Sequence, residues 1–174
     1  MFAVKETVWG DVPGILALYQ TVATESGGII RLREEITLDY VNDFITKSLR
    51  TGLSRVVHHP RNQAEIVAEM HAYQYGPAAF SHILTDLTIV VHPSFQGQKI
   101  GMLIFEHFLA EVAGKMPHIL RVELFVRENN MAATRFYKKL GFVEEGRHWN
   151  KIKNKDGSLE TPLEMTWFNP RYEG

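Results

Sequence analysis

One run constrains the fold of this chain more than any other. A near-continuous apolar segment, "HILTDLTIVV", passes through Pro93 into a loop with two glycines four residues apart, Gly97 and Gly101, and then directly into "IGMLIFEHFLAEV". A strand that is apolar at almost every position is covered on both faces, so it belongs in the middle of a sheet with layers on either side. The apolar helix that follows supplies such a layer, which makes the chain α/β or α+β with a mixed sheet. The junction itself has chemistry. Gly97 and Gly101 let backbone come close to a ligand, and the first N–H groups of a helix beginning near Ile100 have no intrahelical partner. With the positive end of the helix dipole they form an anion site. Equally open from spacing alone is a packing reading, with Gly97 serving a tight turn and Gly101 close helix–strand contact. Neither G-x-x-x-x-G-K-[ST] nor G-x-G-x-x-G occurs, so the NTPase and dinucleotide-binding fingerprints are missing.

The rest of the chain alternates around this unit. "FAVKETVW" reads as a strand, and "DVPGILALYQTVATE" as a helix with Asp11 as its cap and Pro13 in its first turn. "GGIIRLREEI" is an irregular link. "TLDYVNDFITKSLRTG" is a second helix with Tyr40, Val41, Phe44, Ile45 and Leu49 on one stripe and Gly52 as its stop. "LSRVVHH" and "AEIVAEMHAYQY" are strands joined at "PRNQ". After the central unit come the strand "HILRVELFV", the short helix "NNMAATRFYKKL" closed by Gly141, and a final hairpin of "FVEEGRHWNKIK" with "LETPLEMTWF" across "NKDG". The expectation is one domain over all 174 residues.

Composition narrows the function. A formal net charge of −1 gives no electrostatic case for nucleic acid. The 7 Lys/Arg against 10 Asp/Glu up to Gln98, and 12 against 10 after it, are compatible with an anion site in the second part. There is no cysteine, which excludes disulfides and thiolate chemistry. No apolar run reads as a signal peptide or membrane span, so a cytoplasmic location and no membrane partner are expected. None of the eight histidines falls in a paired metal-ligand spacing, and His58 and His59 point to opposite faces of a strand. No metal is expected, and the histidines read as surface or packing residues.

"VRENNMAATRFYKKLGF" adds a second motif: an Asn past a strand, Ala three residues on, Tyr seven on, then Lys-Leu-Gly-Phe. This resembles the second half of the acetyl-CoA site of the GNAT superfamily of N-acetyltransferases. "VVHPSFQGQKIG" resembles its first half, the pyrophosphate loop Gln/Arg-x-x-Gly-x-Gly/Ala, falling on Gln96, Gly97, Gln98, Lys99, Ile100 and Gly101. Order, separation and the sequence of strands and helices agree over residues 2 to 168. One departure is Lys99, where the loop usually has glycine. A lysine there is expected at φ < 0, with its amide still pointing inward and its ammonium adding charge toward phosphate.

The resemblance implies a central, mostly antiparallel mixed sheet of about seven strands flanked by helices, with the fourth and fifth strands splayed. It implies acetyl-CoA as cosubstrate, its pyrophosphate on the amides of Gln98, Lys99, Gly101 and Met102. The pantetheine pairs with the backbone of Ile89, Val90 and Val91. Asn130 holds the pantetheine arm or caps the helix behind it, with Asn129 as the other candidate cap. Tyr137 shares a helical face with Ala133, Phe136 and Leu140, which alone reads as core; the resemblance makes its hydroxyl the acid that protonates the departing thiolate. Asp86, Glu123 (sharing a face with Phe125 and Arg127) and His82 are candidate bases, each carboxylate also reading as solvent-facing or salt-bridged. Phe44, Tyr73, Tyr75, Phe80, Trp149 and Trp167 line a pocket or the core. Residues 25 to 52 and 146 to 162 are expected to shape the acceptor pocket. Two function classes follow: an N-acetyltransferase acting on a small-molecule or peptide amine in a ternary complex, or an acyl-CoA-binding module without turnover. A homodimer stays open.

Overall fold

The computed structural model describes residues 1–25 and 29–174. Gly27 and Gly28, which open the expected link, lie outside the described residues; its later part forms a 3-10 turn at Arg33–Glu35. In chain order the elements are β1 (Val4–Glu6), α1 (Val12–Glu25), α2 (Leu38–Thr51), β2 (Gly52–His59), β3 (Asn62–Gln74), β4 (Ile83–Val91), α3 (Ile100–Lys115), β5 (Arg121–Val126), α4 (Met131–Lys139), β6 (Val143–Arg147), β7 (Ile152–Lys153), β8 (Leu159–Glu160) and β9 (Leu163–Phe168). The main sheet has seven strands in the order β1-β2-β3-β4-β5-β9-β6. It is antiparallel except where β4 meets β5, the mixed, mostly antiparallel arrangement expected. The chain divides into two compact units, Met1–Gln74 with Thr88–Glu111, and Tyr75–Leu87 with Val112–Gly174.

In the first unit the apolar stripes of α1 and α2 build the core. Val12, Ile15, Leu18, Tyr19 and Val22 of α1 recur at helical spacing and are buried with Val41, Phe44 and Ile45 of α2, Val56 of β2, Ile66 of β3 and Val90 of β4. Three sequence expectations need correction here. Asp11 does not cap α1; its Oδ2 accepts the Val8 N–H at 2.9 Å, closing the 3-10 turn that leads into α1. Leu49 is exposed and Ser48 takes the inner position of the α2 stripe, bonding back to the Phe44 carbonyl at 2.7 Å. Thr37, not foreseen, caps α2 by accepting the Tyr40 N–H at 3.2 Å. Gly52 does end α2, but in extended backbone at φ −158°. It is a glycine because a Cβ there would lie 2.0 Å from the Ala72 carbonyl oxygen on the neighbouring strand.

β2 and β3 pair over most of their length, Ser54 opposite His71 and Val56 opposite Glu69, with an irregularity between Val57 and His58. On one face of β2, Arg55 makes a buried, two-pronged ion pair with Glu111 of α3, at 2.5 and 2.7 Å. The opposite face, toward α1 and α2, carries Ser54.

In the second unit, β5 alternates. Val122, Leu124 and Val126 are buried, while Arg121, Glu123 and Phe125 lie on the other face. β9 pairs with β5 along its length and with β6 on its other edge. The expected final hairpin is present in two pieces: β6 with β9 in the main sheet, and β7 with β8 as a separate ribbon closed by the "NKDG" turn. Asn150, at φ +54°, lies between the two pieces.

Candidate active site

The loop after β4 is built to turn bare amides outward. His92 anchors its start, donating its backbone N–H to the Val67 carbonyl at 2.8 Å and accepting the Ser94 N–H on Nδ1 at 3.2 Å. Residues 96 to 99 are exposed, whereas Ile100, Ile104 and Phe105 of α3 are buried and fix the helix end behind them. Gly97 has φ +76°, with open space where a Cβ would project. Lys99 has φ +62°, which overturns the expectation of φ < 0. The chain has to reverse between Gln98 and Ile100 to enter α3, and the left-handed conformation makes that reversal in one residue. The cost for a residue bearing a Cβ is about 1 kcal/mol or more. The first helical bond runs from the Leu103 N–H to the Lys99 carbonyl at 3.0 Å. The amides ahead of it, through Met102, therefore have no intrahelical acceptor. Two left-handed residues two apart, Gly97 and Lys99, lead directly into the helix start, a turn of the kind that presents backbone amides to anions. Gln96 and Gln98 are on its rim, and the Gln98 side chain reaches the Ser94 carbonyl at 3.4 Å. Of the three β4 residues assigned to the pantetheine, Val90 is buried and Ile89 and Val91 are half-buried.

In the second unit, Asn130 is the N-cap of α4. Its Oδ1 accepts the Ala133 N–H at 3.0 Å and its carbonyl accepts that of Thr134. Asn129 does not serve as the cap. Tyr137 is half-buried, with Phe136 and Phe142 within 5.6 and 5.8 Å, centroid to centroid. Loss of solvent around the hydroxyl pushes its pKa up to about 12, so the phenol is a neutral donor throughout the physiological range. The pairing of β4 with β5 is given by Ile83 opposite Arg121 and Leu84 opposite Val122, while β9 pairs with the other edge of β5 from Arg121 to Val126.

The candidate bases diverge. Glu123 binds Arg121 Nε at 2.7 Å; burial raises its pKa, opposed by Arg121 and reinforced by Glu164 and Glu145. Asp86 is exposed and has φ +52° inside β4, a left-handed residue in a strand, which marks a local irregularity of the kind found near functional sites. The His82 carbonyl accepts the N–H of Leu120 at 2.8 Å. Among the aromatics, Phe44 is core, Tyr75 and Phe80 are exposed and meet edge to face at 5.3 Å, and Trp149 is 79% exposed. Among the described residues no cluster of three His, Asp or Glu side chains is placed to hold a metal, and no helix is long and apolar enough to cross a membrane.

One group escaped the sequence reading. Glu69 and His71 of β3 are 0% and 2% exposed, so His71 takes the packing alternative of the histidine reading. Glu69 accepts from Tyr19 at 2.6 Å and Ser54 at 2.8 Å, and His71 Nδ1 lies 3.1 Å from its Oε2. The signal was available: "AEMHA" puts two polar residues two apart, on one face, inside an otherwise apolar strand.

A left-handed loop between a central strand and a buried helix, on a mixed seven-stranded sheet, defines the class as an α/β protein. A family model described as an acetyltransferase (GNAT) domain matches residues 56–144, just over half of the chain. The chain belongs to the GNAT acetyltransferase family. It is 27% identical over 113 residues to the peptidyl-lysine N-acetyltransferase YjaB of Salmonella typhimurium, covering 64% of this chain and 72% of that one. Among solved structures it resembles an N-acetyltransferase from Staphylococcus aureus Mu50, with a TM-score of 0.81 at 14% identity, over 97% of this chain and 98% of that one. It also resembles the Salmonella typhimurium acetyltransferase yncA, solved with its cofactor acetyl-CoA, with a TM-score of 0.80 at 14% identity, over 99% and 96%.

Proposed function

We propose that this protein transfers an acetyl group from acetyl-CoA to a primary amine, of a small molecule or a peptide, by direct attack in a ternary complex. The observation that carries the reading is the amide loop at residues 97 to 102, with left-handed Gly97 and Lys99 and the free start of α3. It fits a pyrophosphate: amides of Gln98, Lys99, Gly101 and Met102 supply donors, open space at Gly97 admits the oxygens, and the exposed Lys99 side chain adds a cation. The pantetheine then runs along the backbone of Ile89, Val90 and Val91. The Oδ1 of Asn130 is occupied by its cap, which leaves Nδ2 as the donor toward the arm.

With no cysteine to carry an acyl group, the amine nitrogen attacks the thioester carbon itself. A C–N bond forms, the C–S bond breaks, and the sulfur leaves as thiolate. Tyr137 supplies its proton. A neutral phenol hydroxyl is the right state for a donor that acts as negative charge develops. Of the two protons the ammonium loses in becoming an amide, one restores the tyrosine and one reaches solvent.

Calorimetric titration with acetyl-CoA tests the loop. Gly101→Glu sets a carboxylate against the phosphates and is expected to weaken binding strongly; unchanged affinity in a folded variant overturns the assignment. Thiol release from acetyl-CoA against a panel of amines separates a transferase from a module that binds without turnover.

A further inference from the structure

We infer that His71, held in place by Glu69, is the base that takes the first proton from the acceptor's ammonium; this rests on the acetyl-transfer reading and names a residue for its unassigned step. The tautomer follows from the hydrogen bonds. The Tyr19 hydroxyl donates to Glu69 Oε2 and the Ser54 hydroxyl to Oε1, the latter backed by Thr7 at 2.7 Å. The carboxylate is therefore an acceptor, and His71 Nδ1, at 3.1 and 3.2 Å from its two oxygens, carries the proton. The lone pair is then on Nε2, on the opposite side of the ring.

The ring has little freedom to turn. Phe44 stacks on it at 4.0 Å and 10°, and Tyr73 lies nearly parallel at 6.1 Å and 4°. Among the described residues the hydrogen bonds of the ring are all made at Nδ1. His71 as a whole is 2% exposed. The charged and titratable groups around it are Glu69 on its own strand, Tyr19 of α1, Tyr40 and Lys47 of α2, and Tyr73. Lys47 lies over the Tyr73 ring at 5.4 Å, and Arg31 over Tyr40 at 4.2 Å.

Position along the sheet supports the role. The His92 N–H bonds the Val67 carbonyl, and counting back along antiparallel neighbours brings His71 level with Thr88. That is one residue before the Ile89–Val91 stretch assigned to the pantetheine, on the side away from the pyrophosphate loop, where the thioester end falls. The step balances: the ammonium N–H bond breaks, an Nε2–H bond forms, the imidazolium is held by Glu69, and the neutral amine is left to attack. The imidazolium then returns its proton to solvent.

Three measurements test this. Nitrogen-15 NMR of the wild-type ring is expected to show the proton on Nδ1; a neutral ring protonated on Nε2 overturns the inference, and this holds even if the variants fail to fold. His71→Gln is expected to lower kcat/KM for the amine about 10²-fold at neutral pH, with acetyl-CoA affinity unchanged. Glu69→Gln, which removes the carboxylate that orients the ring, is expected to lower kcat/KM for the amine and to disturb the single Nδ1–H tautomer in the nitrogen-15 spectrum, with acetyl-CoA affinity unchanged. Wild-type turnover in His71→Gln, beside a kcat loss in Tyr137→Phe, would overturn the role of His71 and leave acetyl transfer standing. No thiol release by the wild type with any amine overturns both.

Discussion

At the scale of single residues, Tyr137 and Lys99 make the clearest predictions. Tyr137→Phe removes one oxygen and keeps the ring against Phe136 and Phe142, so stability and acetyl-CoA affinity should hold. The loss should fall on kcat, by about 10²-fold or more; steady-state kinetics beside a binding isotherm checks it, and wild-type turnover would return Tyr137 to the packing role its helical face allows. Lys99→Gly relieves a left-handed lysine and should raise unfolding free energy by about 1 kcal/mol, while weakening acetyl-CoA binding and flattening its salt dependence if the ammonium meets phosphate. Urea denaturation and calorimetry at two ionic strengths separate the two effects. Asn130 was legible from sequence as a cap because capping is local: the side chain serves an amide three residues away. The φ of Lys99 was not, since a chain reversal between two fixed elements sets it. Nor was the burial of His71, which depends on Tyr19 and Phe44 arriving from two other helices.

Elements were predicted where their signal is periodic and blurred where a neighbour decides. The α2 stripe was visible, yet Ser48 replaced Leu49 on its inner edge because rotation of the helix against β2 and β3 follows from packing. Gly52 marks the boundary because of the Ala72 carbonyl across the strand pair, a constraint that the local helix-stop signal does not contain. Gly52→Ala should therefore cost more than a helix-stop glycine would, about 3 kcal/mol or more, in the range of overpacking and backbone strain. Chemical denaturation measures it, and a loss below 1 kcal/mol would mean that the strands part easily there. Along β5, burial raises the Glu123 carboxyl. A carboxyl raised in the folded state favours folding while protonated, and that contribution fades as pH climbs from the unfolded value through the folded one. Glu123→Gln should flatten the fall in stability over that window. Unfolding curves from about pH 4 to about pH 7 test the sign; an unchanged slope would show that Arg121 cancels the burial.

For the molecule as a whole, the mixed sheet and helix order were readable because each turns on long apolar runs, and the family followed from two motifs in the right order. The splitting of the last hairpin into a sheet pair and a separate ribbon was not readable, since "RHWN" and "TP" interrupt the pairing without a distinctive period. If acetyl-CoA binds the folded chain and not the unfolded one, mass action stabilises the fold by about 2.7 kcal/mol at a ligand concentration 100-fold above Kd. A thermal shift that grows with the logarithm of acetyl-CoA concentration is the expected result, and a melting temperature indifferent to it would deny binding altogether.

The absence of any spacer between Thr51 and Gly52 bears on how such a protein can diversify. Most helix-to-strand joints absorb inserted residues, and lineages explore new specificities by lengthening them. Here one added residue would turn α2 out of phase with β2 and pull Phe44 off the face of His71. Natural variants of this chain should therefore vary in length elsewhere, at the Pro60–Arg61 turn or around the β7–β8 ribbon, and keep this joint at zero.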